Sequence, residues 1–351
     1  MPKSYIFKAS VQKKQNMQFF KAIKPYLEDF PFKTLLDIGG ADGEFCNYFH
    51  RVFGGIEVHN LDKDEELIEY GRQRYPHIKH IHADFLEWDT EERFDVIVST
   101  NTFHWFGSRW SYALLKTYDL LEEGGYFFLH QVCEGSYCSL ISLARMLLEV
   151  QGVEDFEYDM AFLSRANIVK MVEELGFRVV FHARLEEYAK EYSLEESYRS
   201  WLVGAGMPFV MASPDREWFE KAFMEQALKR ELPVGSVRAY VFARKPLKTL
   251  QVKKEGNSTY LVEHERWGIA GRFGVSKRYV PVAGGLNYYL EDFKVFLKDA
   301  GVEEFMLREI LERFGAVYVF CKDALMCELF RRHGEVLKEA EEGLWIRILK
   351  N

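Results

Sequence analysis

Three carboxylates stand where apolar runs end. The run Leu35-Leu36-Asp37-Ile38 leads into Gly39-Gly40-Ala41-Asp42-Gly43, the run Ile56–Leu61 stops at Asp62, and the run Ile78–Ala83 stops at Asp84, with Phe85 beside it. Glycines at a strand-to-helix turn let a ligand lie against bare backbone. The helix that follows offers free N–H groups to an anion. A carboxylate in the place of Asp62 can take two hydrogen bonds from a ribose diol, and one in the place of Asp84 can accept from an adenine amino group while Phe85 covers the base. Each acid alone is also what an ordinary loop or helix cap uses. As an ordered set at three successive strand ends they line one crevice. The spacing Asp-x-Gly-x-Ala-x-Gly differs from the G-x-G-x-x-G of dinucleotide sites.

The elements that must position these residues alternate along the chain. An amphipathic helix over Met17–Phe30 precedes the strand Thr34–Ile38. Then come helix Glu44–Val52, strand Ile56–Leu61, helix Asp64–Arg74, strand Ile78–Ala83, strand Phe94–Thr100, a helix over about Trp110–Leu121 and strand Tyr126–Gln131. Such alternation, with strands that are continuous apolar runs, predicts an α/β fold whose sheet is buried on both faces. Beyond Val132 helices are expected over Ser139–Val150, Ser164–Leu175, Leu194–Val203 and Glu217–Arg230, with strands over Arg178–Ala183 and Arg238–Arg244. Pro246 marks a boundary. After it the glycine content rises, with short strands at Leu261–His264 and Tyr279–Val282. Helices are expected over about Tyr289–Ala300, Glu303–Phe314 and Ala324–Ala340, and strands over Ala316–Cys321 and Trp345–Leu349. The reading is of two domains, residues 1–246 and a smaller α+β domain over 247–351 in which no motif carries a defined chemistry.

The segment Phe94-Asp95-Val96-Ile97-Val98-Ser99-Thr100-Asn101-Thr102-Phe103-His104-Trp105-Phe106 resembles the fourth-strand segment of class I S-adenosylmethionine-dependent methyltransferases. It is similar in particular to the trans-aconitate, malonyl-carrier-protein and salicylate-type carboxyl methyltransferases, which tend to have His-Trp or Gln-Trp after this strand. Tyr5-x-x-x-Ala9-x-x-Gln12 matches the spacing that opens those families, and Tyr192–Pro208 and Tyr240–Lys245 resemble the cap segment and last strand of the trans-aconitate group. The resemblance covers about residues 4–246. It implies a Rossmann-like, seven-stranded, mostly parallel sheet with flanking helices and a helical cap over about residues 135–160 and 193–230. It also implies S-adenosylmethionine as cofactor. Tyr5 would help hold the cofactor's methionine end, and Gln12 and Trp105 would donate hydrogen bonds to a substrate carboxylate. The cofactor-binding set is Tyr5, Asp37, Gly39, Gly40, Ala41, Gly43, Asp62, Lys63, Asp84, Phe85, Ser99 and Thr100. Ala41 departs from the glycine these families often have, and Gly204-Ala205-Gly206-Met207-Pro208 lacks their usual polar cap residues.

Methyl transfer from a sulfonium is an in-line displacement, and a carboxylate is already ionised at neutral pH, so it needs no general base. Alignment and a dry pocket are what the protein must supply. His104 is a second catalytic candidate, as a base for a hydroxyl or amine acceptor, or else a histidine bound to backbone at a helix start. Trp105 equally suits plain core packing. The expected function is methyl transfer to a small-molecule or carrier-bound carboxylate. The alternatives are an amine, hydroxyl or carbon acceptor on a small metabolite, or a non-catalytic cofactor-binding module that uses its C-terminal domain to bind a partner.

The bulk composition is that of a globular protein, with 351 residues, 48% hydrophobic and 28% charged. A net charge of −8 argues against nucleic acid or an anionic membrane as partner. The acidity lies before Pro246, since residues 247–351 hold 17 Lys and Arg against 16 Asp and Glu. Five cysteines without a C-x-x-C pair predict neither a disulfide framework nor a zinc site, and a reducing cytoplasm as the location. His80 and His82 share one face of a strand, but no further ligand spacing completes a metal set.

Overall fold

The computed structural model describes residues 10–188, 193–340 and 342–349. The chain divides into two compact units, Met1–Lys245 and Pro246–Asn351.

In the first unit the elements run α1 (Ser10–Leu27), β1 (Thr34–Ile38), α2 (Glu44–Phe53), β2 (Glu57–Asp62), α3 (Glu65–Arg74), β3 (Lys79–His82) and β4 (Phe94–Thr100). A 3₁₀ segment over Phe103–Arg109 leads into α4 (Trp110–Leu120) and β5 (Leu121–Val132). Then follow α5 (Cys138–Val150), α6 (Arg165–Glu174), β6 (Arg178–Tyr188), α7 (Leu194–Val203), α8 (Met207–Ala212), α9 (Arg216–Lys229) and β7 (Gly235–Arg244). The seven strands form one sheet in the order β3-β2-β1-β4-β5-β7-β6. Because β1 has β2 on one side and β4 on the other, the chain leaves it in opposite directions, and a crevice opens at the carboxyl ends between them.

The sheet is mixed, which corrects the mostly parallel expectation. Pairs β1–β2, β1–β4, β2–β3 and β4–β5 are parallel. Strand β7 enters between β5 and β6 and runs antiparallel to both. The apolar run that forms β7 fits either direction. What reverses it is its connection: α7, α8 and α9 return the chain to the same end of the sheet at which β6 stops, so that Gly235 starts β7 beside Tyr188.

Alternation along the central strands separates two apolar layers. Tyr126 and Phe128 of β5 and Tyr240 and Phe242 of β7 meet α1, with Phe19 5.2 Å from Tyr240 and Tyr26 6.1 Å from Phe128 between ring centroids. On the opposite face Phe127, Leu129 and Val241 pack with Trp110 and Leu114 of α4 and Ile168 and Val172 of α6. Helices α5, α7, α8 and α9 bury their own cluster around Leu140, Tyr198, Trp201, Phe209 and Phe223, and form a helical layer distinct from the sheet.

The second unit contains β8 (Leu250–Lys254), β9 (Thr259–His264), β10 (Gly268–Val280), β11 (Gly285–Val295), α10 (Val302–Phe314), β12 (Ala316–Cys321), α11 (Ala324–Arg332), β13 (Gly334–Ala340) and β14 (Gly343–Leu349). Its sheet order is β13-β14-β12-β11-β10-β9-β8. Met306 and Ile310 of α10 and Cys327 and Phe330 of α11 are buried with Phe273, Leu290, Val317 and Ile346 of the strands. Two sequence expectations fail here. The expected helix Tyr289–Ala300 is mostly strand β11, paired antiparallel with β10 from Gly285↔Val280 to Val295↔Gly271. The expected helix Ala324–Ala340 ends at Arg332, where Gly334 brings the backbone so close to β14 that a Cβ would lie 2.5 Å from the Arg347 carbonyl oxygen. Among the described residues no helix is long and apolar enough to cross a membrane.

Candidate active site

The turn after β1 is shaped by what packs behind it. Gly39 has φ +75, and a Cβ there would lie 2.2 Å from Thr102 Oγ1. At Gly40 a Cβ would meet Asn60 Oδ1 at 2.2 Å and Asp37 Oδ2 at 2.6 Å. Both positions therefore require glycine. Ala41 takes φ +51, so its methyl group sits in the left-handed region that L-residues adopt at a cost of about 1 kcal/mol. Its conformation is held by two contacts. Its N–H donates to Asp62 Oδ2 at 2.9 Å, and its carbonyl accepts from Asn60 Nδ2 at 2.9 Å. Behind Asn60, His80 Nδ1 accepts from the same amide nitrogen at 3.1 Å and Nε2 donates to the Tyr75 carbonyl at 3.2 Å. Both histidine nitrogens are thus engaged in supporting the turn. Among the described residues no His, Cys, Asp or Glu group could hold a metal ion.

The turn forms one wall of a cavity of about 1030 Å³ at the carboxyl ends of the strands. Asp37, Asp62 and Asp84 all line it, in the order the sheet imposes. Asp37 is 1% exposed, and its Oδ1 has no hydrogen-bond partner among the described residues. Burial pushes its carboxyl up to about 7, against a hydrogen bond from Cys46 Sγ at 3.7 Å, and the Asp62 carboxylate adds to the rise. Asp62 is also pushed up by burial, while the N–H groups of Asp64 and Ala41 lower it. Each of its oxygens accepts one backbone N–H, at 2.9 Å in both cases. Since a carboxylate oxygen has two lone pairs, one remains on each for a ligand. Asp84 Oδ1 accepts from the Leu86 N–H at 2.9 Å, and the neighbouring Phe85 ring is buried at the cavity edge, 5.8 Å from Phe106.

Lys63, Thr100 and Trp105 line the same cavity, as do Gly39, Gly40 and Ala41. The Lys63 ammonium lies 5.9 Å from the Trp105 ring centroid. Gln12 reaches the cavity from α1, but its amide is already bound at both ends to α7: Ser200 Oγ donates to Oε1 at 2.5 Å, and Nε2 donates to the Ser200 carbonyl at 3.3 Å. Its first role is to tie α1 to the helical layer. Three expected site residues stand behind the wall. Gly43 faces His80, Ser99 Oγ donates to the Ile38 carbonyl at 3.0 Å, and His104 is buried with Nδ1 accepting from Gln131 Nε2 at 2.9 Å. Burial pushes the His104 imidazole down to about 3, opposed by Gln131 and reinforced by the charge of Arg238. A neutral, enclosed imidazole of this kind is not poised as a base. Tyr5 lies outside the described residues.

Sequence reasoning missed Thr102, which packs on Gly39, and Asn101, which lines the cavity beside Thr100. Asn101 stood in the motif as a spacer. Its signal was its type, since asparagine tolerates a left-handed backbone better than most residues.

A methyltransferase 235L of Invertebrate iridescent virus 6, named as a candidate, is 23% identical over 137 residues, which is 38% of this chain and 51% of that protein. The chain thus spans about half the length of that relative. Among solved structures, a candidate methyltransferase of Bacillus halodurans aligns at 15% identity over 65% of this chain and 99% of its own, with a TM-score of 0.45. A candidate sarcosine dimethylglycine methyltransferase of Galdieria sulphuraria aligns at 14% identity over 66% and 85%, also with a TM-score of 0.45. Residues 11–182, which hold every strand-end acid described above, match the sequence profile of a methyltransferase domain.

Proposed function

We propose that the first unit binds S-adenosylmethionine along the ends of β1, β2 and β3 and transfers its methyl group to the carboxylate of a small-molecule or carrier-bound acid. The observation that carries the reading is the set of Asp37, Asp62 and Asp84 on one cavity of about 1030 Å³, against a turn bare of side chains at Gly39 and Gly40. That volume lies at the upper end of the usual range for a ligand pocket, which suits two ligands together. The residues fit the cofactor group by group. Asp84 and Phe85 suit an adenine, and the two spare lone pairs of Asp62 suit a ribose diol. The buried, unpartnered Asp37 Oδ1 suits an ammonium, whose charge would return this carboxyl to its ionised form.

When bound, S-adenosylmethionine supplies an electrophilic methyl group on a sulfonium. The protein's part is alignment. The Trp105 indole N–H has no acceptor among the described residues, and with the Lys63 ammonium beside it Trp105 forms a donor-rich corner suited to an acidic acceptor. A carboxylate needs no proton removed, which agrees with a His104 held neutral behind the wall. The test is incubation with methyl-labelled S-adenosylmethionine and a panel of carboxylic acids, scored for base-labile methyl esters. Label that enters only base-stable products assigns an amine, hydroxyl or carbon acceptor instead. Cofactor binding without transfer to any acceptor class supports a binding module.

A further inference from the structure

Asn101 follows β4 with φ +55, in the left-handed region. Its backbone N–H donates to the His130 carbonyl at 2.9 Å, and its side-chain Oδ1 accepts from Arg238 Nη1. Arg238, on β7, is 4% exposed, and its Nη2 donates to the Tyr137 hydroxyl at 3.1 Å. A guanidinium has only donors, so its contact decides which end of the amide is oxygen. The amide nitrogen is thereby turned away from Arg238. This Nδ2 is buried and has no acceptor among the described residues, although Asn101 is part of the cavity wall. A buried donor without a partner is costly, and sites keep such groups where a ligand completes them. The bond to a cation also polarises the amide and strengthens its N–H groups as donors.

We propose that Asn101 Nδ2 holds a carboxylate at the reaction centre and that Arg238 is the residue that positions it. The proposal rests on the methyltransferase reading above. A carboxylate is acceptor-only and matches a donor-only group. Two sources share this chemistry, the acid that receives the methyl group and the amino-acid end of the cofactor. The fold supports the assignment in one further respect. Asn101 is clamped through both backbone and side chain, by β5 and β7 respectively, so its amide is presented at a fixed angle without loss of rotamer freedom on binding.

The test uses the full chain and four variants. Asn101→Asp keeps the size of the side chain and an oxygen for Arg238, but turns a negative oxygen toward the ligand in place of the N–H. If the acceptor's carboxylate is bound here, its KM rises by about tenfold or more while the cofactor Kd stays within about twofold. If the cofactor's carboxylate is bound here, calorimetry with S-adenosylmethionine and S-adenosylhomocysteine shows that Kd weakened by about tenfold or more, and KM for the acid follows only indirectly. Asn101→Gly keeps the left-handed backbone and removes the donor without adding charge. It moves the same parameter by less, and it decides the question if Asn101→Asp does not fold. Arg238→Met moves that parameter as Asn101→Gly does, and Arg238→Lys recovers part of it, which loss of stability alone would not produce. Variants of Asn101 that melt with the wild type and leave both KM and Kd within about twofold overturn the proposal. A wild-type protein that methylates no acid removes the carboxylate-acceptor reading, and the calorimetric arm then decides this one by itself.

Discussion

Asp62 Oδ2 accepts the backbone N–H of Ala41 at 2.9 Å, so the acid that closes β2 also holds the turn that closes β1. The two halves of the crevice are therefore one unit. Asp62→Ala is expected to weaken S-adenosylmethionine binding by about 1.5–3 kcal/mol, through lost hydrogen bonds to a charged group and a loosened turn. Calorimetry giving wild-type affinity for this variant removes Asp62 from the site.

At Asp37 burial and charge are in opposition. Its carboxyl titrates at about 7 in the fold against an ordinary value of 3.8, because burial opposes its charge. A group raised in this way leaves the fold most stable below 3.8 and takes stability away as pH rises through 7. Asp37→Asn is therefore expected to stabilise the ligand-free protein at pH 8 by about 2–4 kcal/mol, to change it little at pH 4, and to weaken cofactor binding by about tenfold or more. Denaturant unfolding at the two pH values checks the first part. A variant no more stable than wild type at pH 8 shows that the carboxyl is not held out of water as the structure has it.

His104 should act through stability, not as a base. Its imidazole stays neutral in the fold down to about 3 and charges in the unfolded chain near 6.5. The unfolded chain then binds the extra proton between these values, so stability is whole above 6.5 and falls as the pH drops toward 3. At pH 5 the loss from His104 alone is about 2 kcal/mol. His104→Leu should flatten the decline between pH 7 and 5, and the wild-type methylation rate should show no limb with a histidine-like pKa. A rate that climbs through pH 6.5 and collapses in the variant would instead make His104 the base for a hydroxyl or amine acceptor.

Residues 1–246 are expected to fold alone and to bind S-adenosylmethionine as the full chain does. The sheet, its two apolar layers and the whole cavity lining belong to the first unit, and the cluster around Phe273 and Met306 is built from the second unit alone. Expression of the fragment with thermal melting and calorimetry tests this. Insoluble fragment, or fragment without cofactor affinity, means the later residues complete the core.

What was legible in the sequence was what local chemistry determines. Asp62 and Asp84 could be found because each ends an apolar run, and Gly39 and Gly40 because a tight turn excludes a Cβ. The reversal of β7 was not legible, since a buried strand has the same residues in either direction. Tyr289, Phe293, Phe296 and Ala300 repeat at helical spacing, yet the segment pairs with β10 through backbone bonds that no local pattern announces. The Asn101 clamp lay further out of reach, because its partner Arg238 is 137 residues away. Gln12 was found as a site residue, but its bond to Ser200 shows an amide used first for assembly.

That bond sets an order of events during synthesis. Helix α1 leaves the ribosome well before the serine that anchors it, which lies 188 residues later. At the usual elongation rates of about 5–20 residues per second the helix waits about 10–40 s for its partner. Over that time its apolar face, with Phe19, Phe20 and Ile23, has no complete surface to cover, since Tyr240 and Phe242 of β7 come later still. The rings of α2 reach Phe20 early, but the side of Phe19 that meets Tyr240 and Phe242 stays uncovered until nearly the whole first unit has been made.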